Sequence, residues 1–282
     1  KHHESKITEF YQKYILPVKF NIDKRKAHYS SLICANQMSR EEALKRLENP
    51  TYDKETIKEE INFFCKKLQI SLREFNLIMK EKPDVVGLQE VNRGQLSNGM
   101  IDCLPYLARK LNMTWVFLGY HQDGQYGNAL LSRYKIIDAD GYHYSNNRNE
   151  VRGVTRGAIK TKSGKITFYV THLDHTSGEK NVRKQQVQEL ISYWNGQSAS
   201  VLMGDFNAEP GSEPITIIRD TPLVDVLQKS GLDQTPTFWE GRGEPFMHLD
   251  YIFVTPDLKY DDARIIRTRA SDHMPVLMDL RR

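Results

Sequence analysis

Apolar and polar positions change rhythm near Pro83. Upstream the spacing is helical: Ser39-Arg40-Glu41-Glu42 has the form of a capping box, with Ala43, Leu44 and Leu47 on one face behind it. Ile57, Ile61, Phe64 and Leu68 recur at helical intervals, and Ser71-Leu72-Arg73-Glu74 repeats the capping box ahead of Phe75, Ile78 and Met79. Downstream the pattern shortens to strand-length apolar runs over residues 84–88, 114–120, 127–132, 200–203 and 248–254, with a last pair ending at 275–280. Residues 158–162 and 165–171, joined by Ser163-Gly164, predict a hairpin. Between these runs, Ile101, Leu104, Leu107 and Leu111 share a helix face, with Pro105 near its first turn, where a missing N–H is tolerated. Residues 179–195 are amphipathic, with Val182, Val187, Leu190, Ile191 and Trp194 inward, and a short helix starts from Ser212. Strands with helices between and outside them predict an α/β sandwich over residues 83–282, behind a helical segment of residues 1–82.

Composition adds bounds to that picture. With 39% hydrophobic and 27% charged residues over 282 positions, the chain is expected to fold around a full core. No apolar run approaches the ~20 residues needed to span a bilayer, and Lys1-His2-His3-Glu4 does not read as the start of a signal peptide. The first residue is not Met, so a fragment or a processed product is expected. Cys34, Cys65 and Cys103 are odd in number and widely spaced, which predicts free thiols and a cytoplasmic location. The net charge of +4 is uneven: residues 1–82 carry 17 basic and 12 acidic side chains, leaving 23 basic and 24 acidic ones for residues 83–282. The larger segment therefore lacks the basic excess of a strong duplex binder.

Candidate chemistry gathers at predicted strand ends. Gly204-Asp205-Phe206-Asn207-Ala208 closes an apolar run, so Asp205 and Asn207 share one side of the strand. Glu90 follows the run 84–88, Asn128 opens another, and His172 ends a third within Thr171-His172-Leu173-Asp174-His175. Asp250 lies inside Leu249-Asp250-Tyr251-Ile252-Phe253-Val254, where a buried carboxylate needs a partner such as His or Arg. Asp272-His273 precede Met274-Pro275, and Pro275 biases its predecessor toward extended geometry. Singly, each of these is ordinary turn or strand-end chemistry. Together they form an oxygen-rich set suited to Mg²⁺ or Mn²⁺ rather than zinc.

The ordered blocks Leu88-Gln89-Glu90-Val91, Gly127-Asn128-Ala129, Thr171-His172-Leu173, Gly204-Asp205-Phe206-Asn207, Asp250-Tyr251-Ile252 and Ser271-Asp272-His273 resemble the endonuclease/exonuclease/phosphatase superfamily over about residues 83–282. The resemblance implies the deoxyribonuclease I-like fold, two β-sheets flanked by helices. It also implies a Mg²⁺-dependent (or Mn²⁺-dependent) hydrolase of phosphate esters. Carried over by position, Glu90 would bind the metal with Asp272 close by, and Asp205 would orient or deprotonate the attacking water. Asn207 would hold the phosphate and His273, steadied by Asp250, would contact it. His172, Asn128 and Arg156 would line the phosphate pocket.

One departure stands out. The family opens with a strand carrying an Asn of the metal site, and no such strand precedes residues 72–82. Instead residues 1–82 resemble the C-terminal tail of N-acetyl sugar amidotransferases, through Tyr14-Ile15-Leu16-Pro17, Asp23-Lys24-Arg25-Lys26-Ala27-His28, Ser30-Ser31-Leu32-Ile33-Cys34 and Arg40-Glu41-Glu42-Ala43-Leu44. The nucleotide-binding Ser-Gly-Gly-x-Asp-Ser loop of those enzymes is missing, so amidotransfer is not expected. Val18-Lys19-Phe20-Asn21-Ile22 alternates as a replacement strand would. Without a replacement, one sheet would expose unpaired backbone and the metal site would be short of a ligand. The leading expectation is a monomeric phosphoesterase acting on a nucleic acid, a lipid headgroup or a small phosphate ester. Trp239 and Phe246, flanking Gly241-Arg242-Gly243, are candidates for substrate contact. The second expectation is a catalytically impaired or inactive fusion or scaffold protein.

Overall fold

The structure is a computed structural model and describes residues 6–20, 22–80, 82–94, 102–121, 124–146, 150–176, 180–240, 244–268 and 271–281. The chain divides into two compact units, residues 1–82 and 83–282.

The first unit is helical. It comprises α1 (Lys6–Phe10), a π-helical turn (Tyr11–Ile15), α2 (Leu16–Phe20), α3 (Lys24–Cys34), α4 (Arg40–Glu48), α5 (Ile57–Leu68) and α6 (Leu72–Lys80). The two capping boxes do what their sequences predict at the N-terminal ends of α4 and α6. The Ser39 hydroxyl accepts from the Glu42 N–H and that of Ser71 from the Glu74 N–H, while Glu74 returns a bond to the Ser71 N–H. Phe10, Phe64 and Phe75 pack ring against ring at its centre, with Ile57, Cys65 and Ile70 around them. The alternation at residues 18–22 does not yield a strand: Leu16–Phe20 is helical, with Leu16 buried and Val18 exposed, and Asn21 lies outside the described residues.

The second unit is a two-layer sandwich in the order β1 (Val85–Asn92), α7 (Cys103–Leu111), β2 (Thr114–His121), β3 (Tyr126–Ser132), β4 (Ile136–His143), β5 (Gly153–Thr161), β6 (Gly164–His172), α8 (Lys180–Trp194), β7 (Ser200–Asp205), α9 (Glu213–Arg219), β8 (Val224–Asp225), α10 (Val226–Lys229), β9 (Asp250–Val254), β10 (Tyr260–Ile265) and β11 (Val276–Leu280). Six strands form one sheet in the order β4-β5-β6-β7-β9-β8, in which β6 and β7 are parallel and the other pairs antiparallel. The other layer holds β1-β3-β2 and, separately, β10-β11. Apolar residues between the layers include Leu130, Phe168, Val170, Val201, Ile252 and Val254. On the outer face of the large sheet, Val187, Leu190 and Trp194 of α8 and Ile215 and Ile218 of α9 cover Tyr169, Leu202 and Phe253. Among the described residues no helix is long and apolar enough to cross a membrane.

Candidate active site

The register of the large sheet assembles the site at one end. Pairing sets His172 of β6 beside Asp205 of β7, and Asp205 beside Asp250 of β9. Gly204 makes this close approach possible: at φ +148° it occupies backbone space that favours glycine, and a Cβ there would collide with the Thr171 carbonyl. His273 is set by a second strip of pairing. The Trp239 N–H donates to the Asp272 carbonyl and the Met274 N–H to that of Thr237, at 2.9 and 2.6 Å. The Thr237 hydroxyl in turn accepts from the Leu249 and Asp250 N–H groups at 3.0 and 3.1 Å.

These contacts set a row of polar side chains side by side. His273 Nδ1–H donates to Asp250 Oδ2 at 2.8 Å, and His273 Nε2 lies 3.8 Å from Asp205 Oδ2. On the far side, His172 Nε2 lies 3.3 Å from the same Asp205 oxygen. Asn207 closes over Asp205, its N–H donating to Oδ1 at 2.8 Å and its side-chain amide to Oδ2 at 3.3 Å, while that amide also reaches the Leu173 carbonyl at 3.0 Å. The left-handed backbone of Asn207, at φ +46°, folds it back over the strand end.

The two histidines are held by opposite kinds of neighbour. Arg152 Nη1 donates to His172 Nδ1 at 2.9 Å, and a guanidinium can only donate. His172 Nδ1 is therefore the acceptor, and its Nε2–H faces Asp205. His273 faces carboxylates instead. Burial pulls its pKa down, but the hydrogen bond and charge of Asp250, with Asp205 and Asp272, outweigh that and push it up to about 9. Burial works against ionising Asp205, which is 6% exposed, yet His172 and His273 hold its pKa below the usual value. Asp250 moves the other way, raised by burial and by the neighbouring Asp205 charge despite its bond to His273.

Glu90 reaches the same region by a different device. It lies within β1, not at its end, at a bulge where Gln89 and Glu90 together oppose Asn128 of β3. A left-handed φ of +54° re-aims it. The Tyr126 hydroxyl bonds to its carboxylate, and burial together with Glu90 raises the Tyr126 pKa.

Two expected pocket residues lie elsewhere. Arg156 bonds to Asp138 and Asp140 across β4 and β5, at 2.8 and 2.6 Å. The β5–β6 register explains this: Gly153 opposes His172, so Arg152 arrives at the site end, whereas Arg156 opposes Tyr169, about 10 Å further along the sheet at ~3.3 Å per residue. Asn128 is fully buried under the site. Its amide donates to the Gly153 and Val170 carbonyls at 3.1 Å each and accepts from the Tyr120 hydroxyl, which uses its capacity to tie the two layers together. Trp239 is buried, with its indole N–H on the Ser271 carbonyl at 2.9 Å, so it supports the His273 strip rather than meeting solvent. Phe246 is 52% exposed and packs on Phe238, whose ring lies 4.9 Å from that of His273. Residues 241–243 lie outside the described residues.

Arg152 and Tyr126 are the functional candidates that the sequence blocks miss. Besides His172, Arg152 donates to His175 Nδ1 at 3.0 Å and pairs with Glu150 at 2.8 Å, while itself 1% exposed. The usable signal is an Arg in front of a strand predicted to pair beside His172.

Residues 71–273 match the Endonuclease/Exonuclease/phosphatase family model, well over half the chain. The chain belongs to this family. Members of the family are hydrolases acting on phosphate esters. Residues 4–85 match a second model, LPS biosynthesis protein WbpG-like, C-terminal domain. Among solved structures, the human Nocturnin catalytic domain with bound sulfate is similar at 23% identity and TM-score 0.57, over 76% of this chain and 87% of that one. Bacteroides thetaiotaomicron mannosyl-6-phosphatase Bt3783 is similar at 19% and 0.54, over 73% and 88%. Truncated Caenorhabditis elegans TDP2 is similar at 19% and 0.53, over 70% and 84%. These likenesses agree on the deoxyribonuclease I-like fold. A comparison with curated proteins gives no match.

The donor set fits a hard cation. Oxygens of Asp205 and Asp250 and a nitrogen of His273 lie within 4.8 Å of one another. His273 is the misfit, since an imidazole that keeps its proton to about pH 9 has no lone pair to give. The carboxylates are the natural holders.

Proposed function

We propose that this protein is a divalent-metal-dependent phosphoesterase that directs a water molecule onto phosphorus. The observation that carries the reading is the row of neighbours Arg152–His172–Asp205–His273–Asp250, in which one buried carboxylate oxygen lies 3.3 Å from one imidazole and 3.8 Å from the other. Asp205 orients the water: its depressed pKa makes it a good hydrogen-bond acceptor and a weak base, so it takes the proton late in the attack. The protonated His273 offers Nε2–H to a phosphoryl oxygen, where it offsets charge that grows in the transition state. Asp250 keeps that ring charged and oriented. Asn207 keeps Asp205 in place, its N–H groups being committed to that carboxylate and to the Leu173 carbonyl, and Arg152 fixes the His172 tautomer behind it.

Glu90, with Asp272 and the Asp205–Asp250 pair, would hold Mg²⁺ or Mn²⁺. Such an ion supplies charge neutralisation and Lewis acidity at phosphate. The slight acidic excess of residues 83–282 favours a small or lipid-like phosphate ester over long duplex DNA. The names of the structural neighbours, a mannosyl-6-phosphatase among them, are compatible with a small substrate.

The test is Mg²⁺-dependent hydrolysis of an aryl phosphodiester and a sugar phosphate by the full chain, with EDTA, Asp205→Ala and His273→Ala as controls. The expected outcome is turnover that each control removes. A second reading, a protein that keeps the fold without turnover, is favoured by the separation of β1 from β11. Metal-supplemented protein without turnover on either substrate class would select it.

A further inference from the structure

The smaller layer of the sandwich is interrupted. Among the described residues β1 pairs with β3 alone and β11 with β10 alone, so each presents one open edge. The layer crosses the six-stranded sheet in even steps: β2 lies over β4 and β5, β3 over β5 and β6, and β1 over β6 and β7. The next step falls over β7 and β9. No described strand occupies it, and β11 lies over β9. With paired strands about 4.8 Å apart, this interval is one strand wide.

Side chains on its floor agree. Met203 belongs to a central strand, β7, and points at the smaller layer, its Cε 2.9 Å from where a Cβ on Gly87 of β1 would lie. Such a position is normally closed, and Val201 and Leu202 beside it are buried, yet Met203 is only half-buried. Val85 on β1 and Val276, Met278 and Leu280 on β11 rest on the same core and are likewise half-buried.

We propose that this interval accepts one extended polypeptide segment from another protein, hydrogen-bonded along its main chain to β1 and β11 at once. The shape fixes the kind of partner. A helix, about 10–12 Å across with its side chains, is too wide, and a small molecule cannot satisfy two strand edges. Folded strands of a second copy arrive already attached to a sheet and cannot enter a slot one strand wide. A floor of Met203 and Ile252 calls for apolar side chains at alternate positions. Charge sets the remaining requirement: Glu90, Asp205, Asp250 and Asp272 gather at one end, so the residue arriving there is not acidic.

The probe is an acetylated, amidated seven-residue peptide alternating valine and threonine, with a fluorescent tag, added to the full chain. Expected are saturable binding by anisotropy and at least tenfold slower hydrogen exchange in both β1 and β11. The same peptide N-methylated at alternate amides should bind at least tenfold more weakly, a control that needs no protein variant. Met203→Lys, checked for cooperative melting, should weaken binding by a similar factor. Absence of binding overturns the proposal, and so does protection on one edge alone. It is equally overturned if β1 and β11 exchange as slowly as β3 without peptide, or if sedimentation shows copies pairing through these edges.

Discussion

Replacing Asp250 by Asn removes the charge that keeps His273 protonated while preserving the size of the side chain. The His273 pKa rises from 6.5 to about 9 in the folded protein, which corresponds to about 3.4 kcal/mol of preferential interaction with the charged ring. Asp250 is the partner in direct contact, at 2.8 Å, and the His273 side chain is 29% exposed, so about 2–3 kcal/mol of this belongs to that pair. Without it, His273 should titrate about 2 pH units lower, at about 7, where Asp205 and Asp272 still offset part of the effect of burial. The sign follows from linkage: a folded-state pKa above the free value contributes stability that is complete below pH 6.5 and is lost as pH rises through about 9. Asp250→Asn should therefore destabilise the metal-free protein by about 2–3 kcal/mol near pH 6 and by much less at pH 9.5, where relief of the Asp205–Asp250 repulsion remains. Proton NMR titration of the His273 ring in EDTA, with urea melts at both pH values, reads both quantities. A His273 pKa still above 8 in the variant, or an equal loss of stability at the two pH values, refutes the reasoning.

Arg156→Ala should leave turnover within about twofold and cost under about 1 kcal/mol in urea melts, because its partners Asp138 and Asp140 are exposed surface carboxylates. Arg152→Met should lower kcat about a hundredfold at little change in fold, and nitrogen NMR should show the His172 proton no longer confined to Nε2. Asn128→Leu should destabilise the protein by about 3 kcal/mol in urea melts, because the Gly153 and Val170 carbonyls and the Tyr120 hydroxyl lose their partner in a dry interior.

Much of this architecture is legible in the sequence because it depends on periodicity. The apolar runs of β7 and β9, the hairpin around Ser163-Gly164 and the capping boxes at Ser39 and Ser71 fold as local chemistry directs. The site residues that depend on register are less legible. Arg152 and Arg156 have the same side chain, and only the pairing of Gly153 with His172 reveals which one reaches the site end. Asn128 has the composition of a phosphate ligand, but its hydrogen bonds go to two carbonyls and a phenol inside the sandwich. The position of Glu90 depends on a bulge, and an extra residue in one strand leaves no mark in an apolar run.

In the proposed reaction, charge gives the reason a cation would have to precede the phosphate. Among the described residues, Glu90, Glu150, Asp205, Asp250 and Asp272 contribute five carboxylates, against the cations Arg152 and His273. An anionic substrate approaching such a cup meets net repulsion, whereas a divalent ion reverses the balance and gives the phosphoryl oxygens something to bind. The two histidines then divide the remaining work. With a guanidinium on Nδ1, His172 turns its Nε2–H to Asp205; with a carboxylate on Nδ1, His273 keeps its proton and would donate to the substrate in the proposed reaction. Neither role is written in the residue type. Each is imposed by the neighbour on Nδ1, so exchanging those neighbours, rather than the histidines, should convert one role into the other.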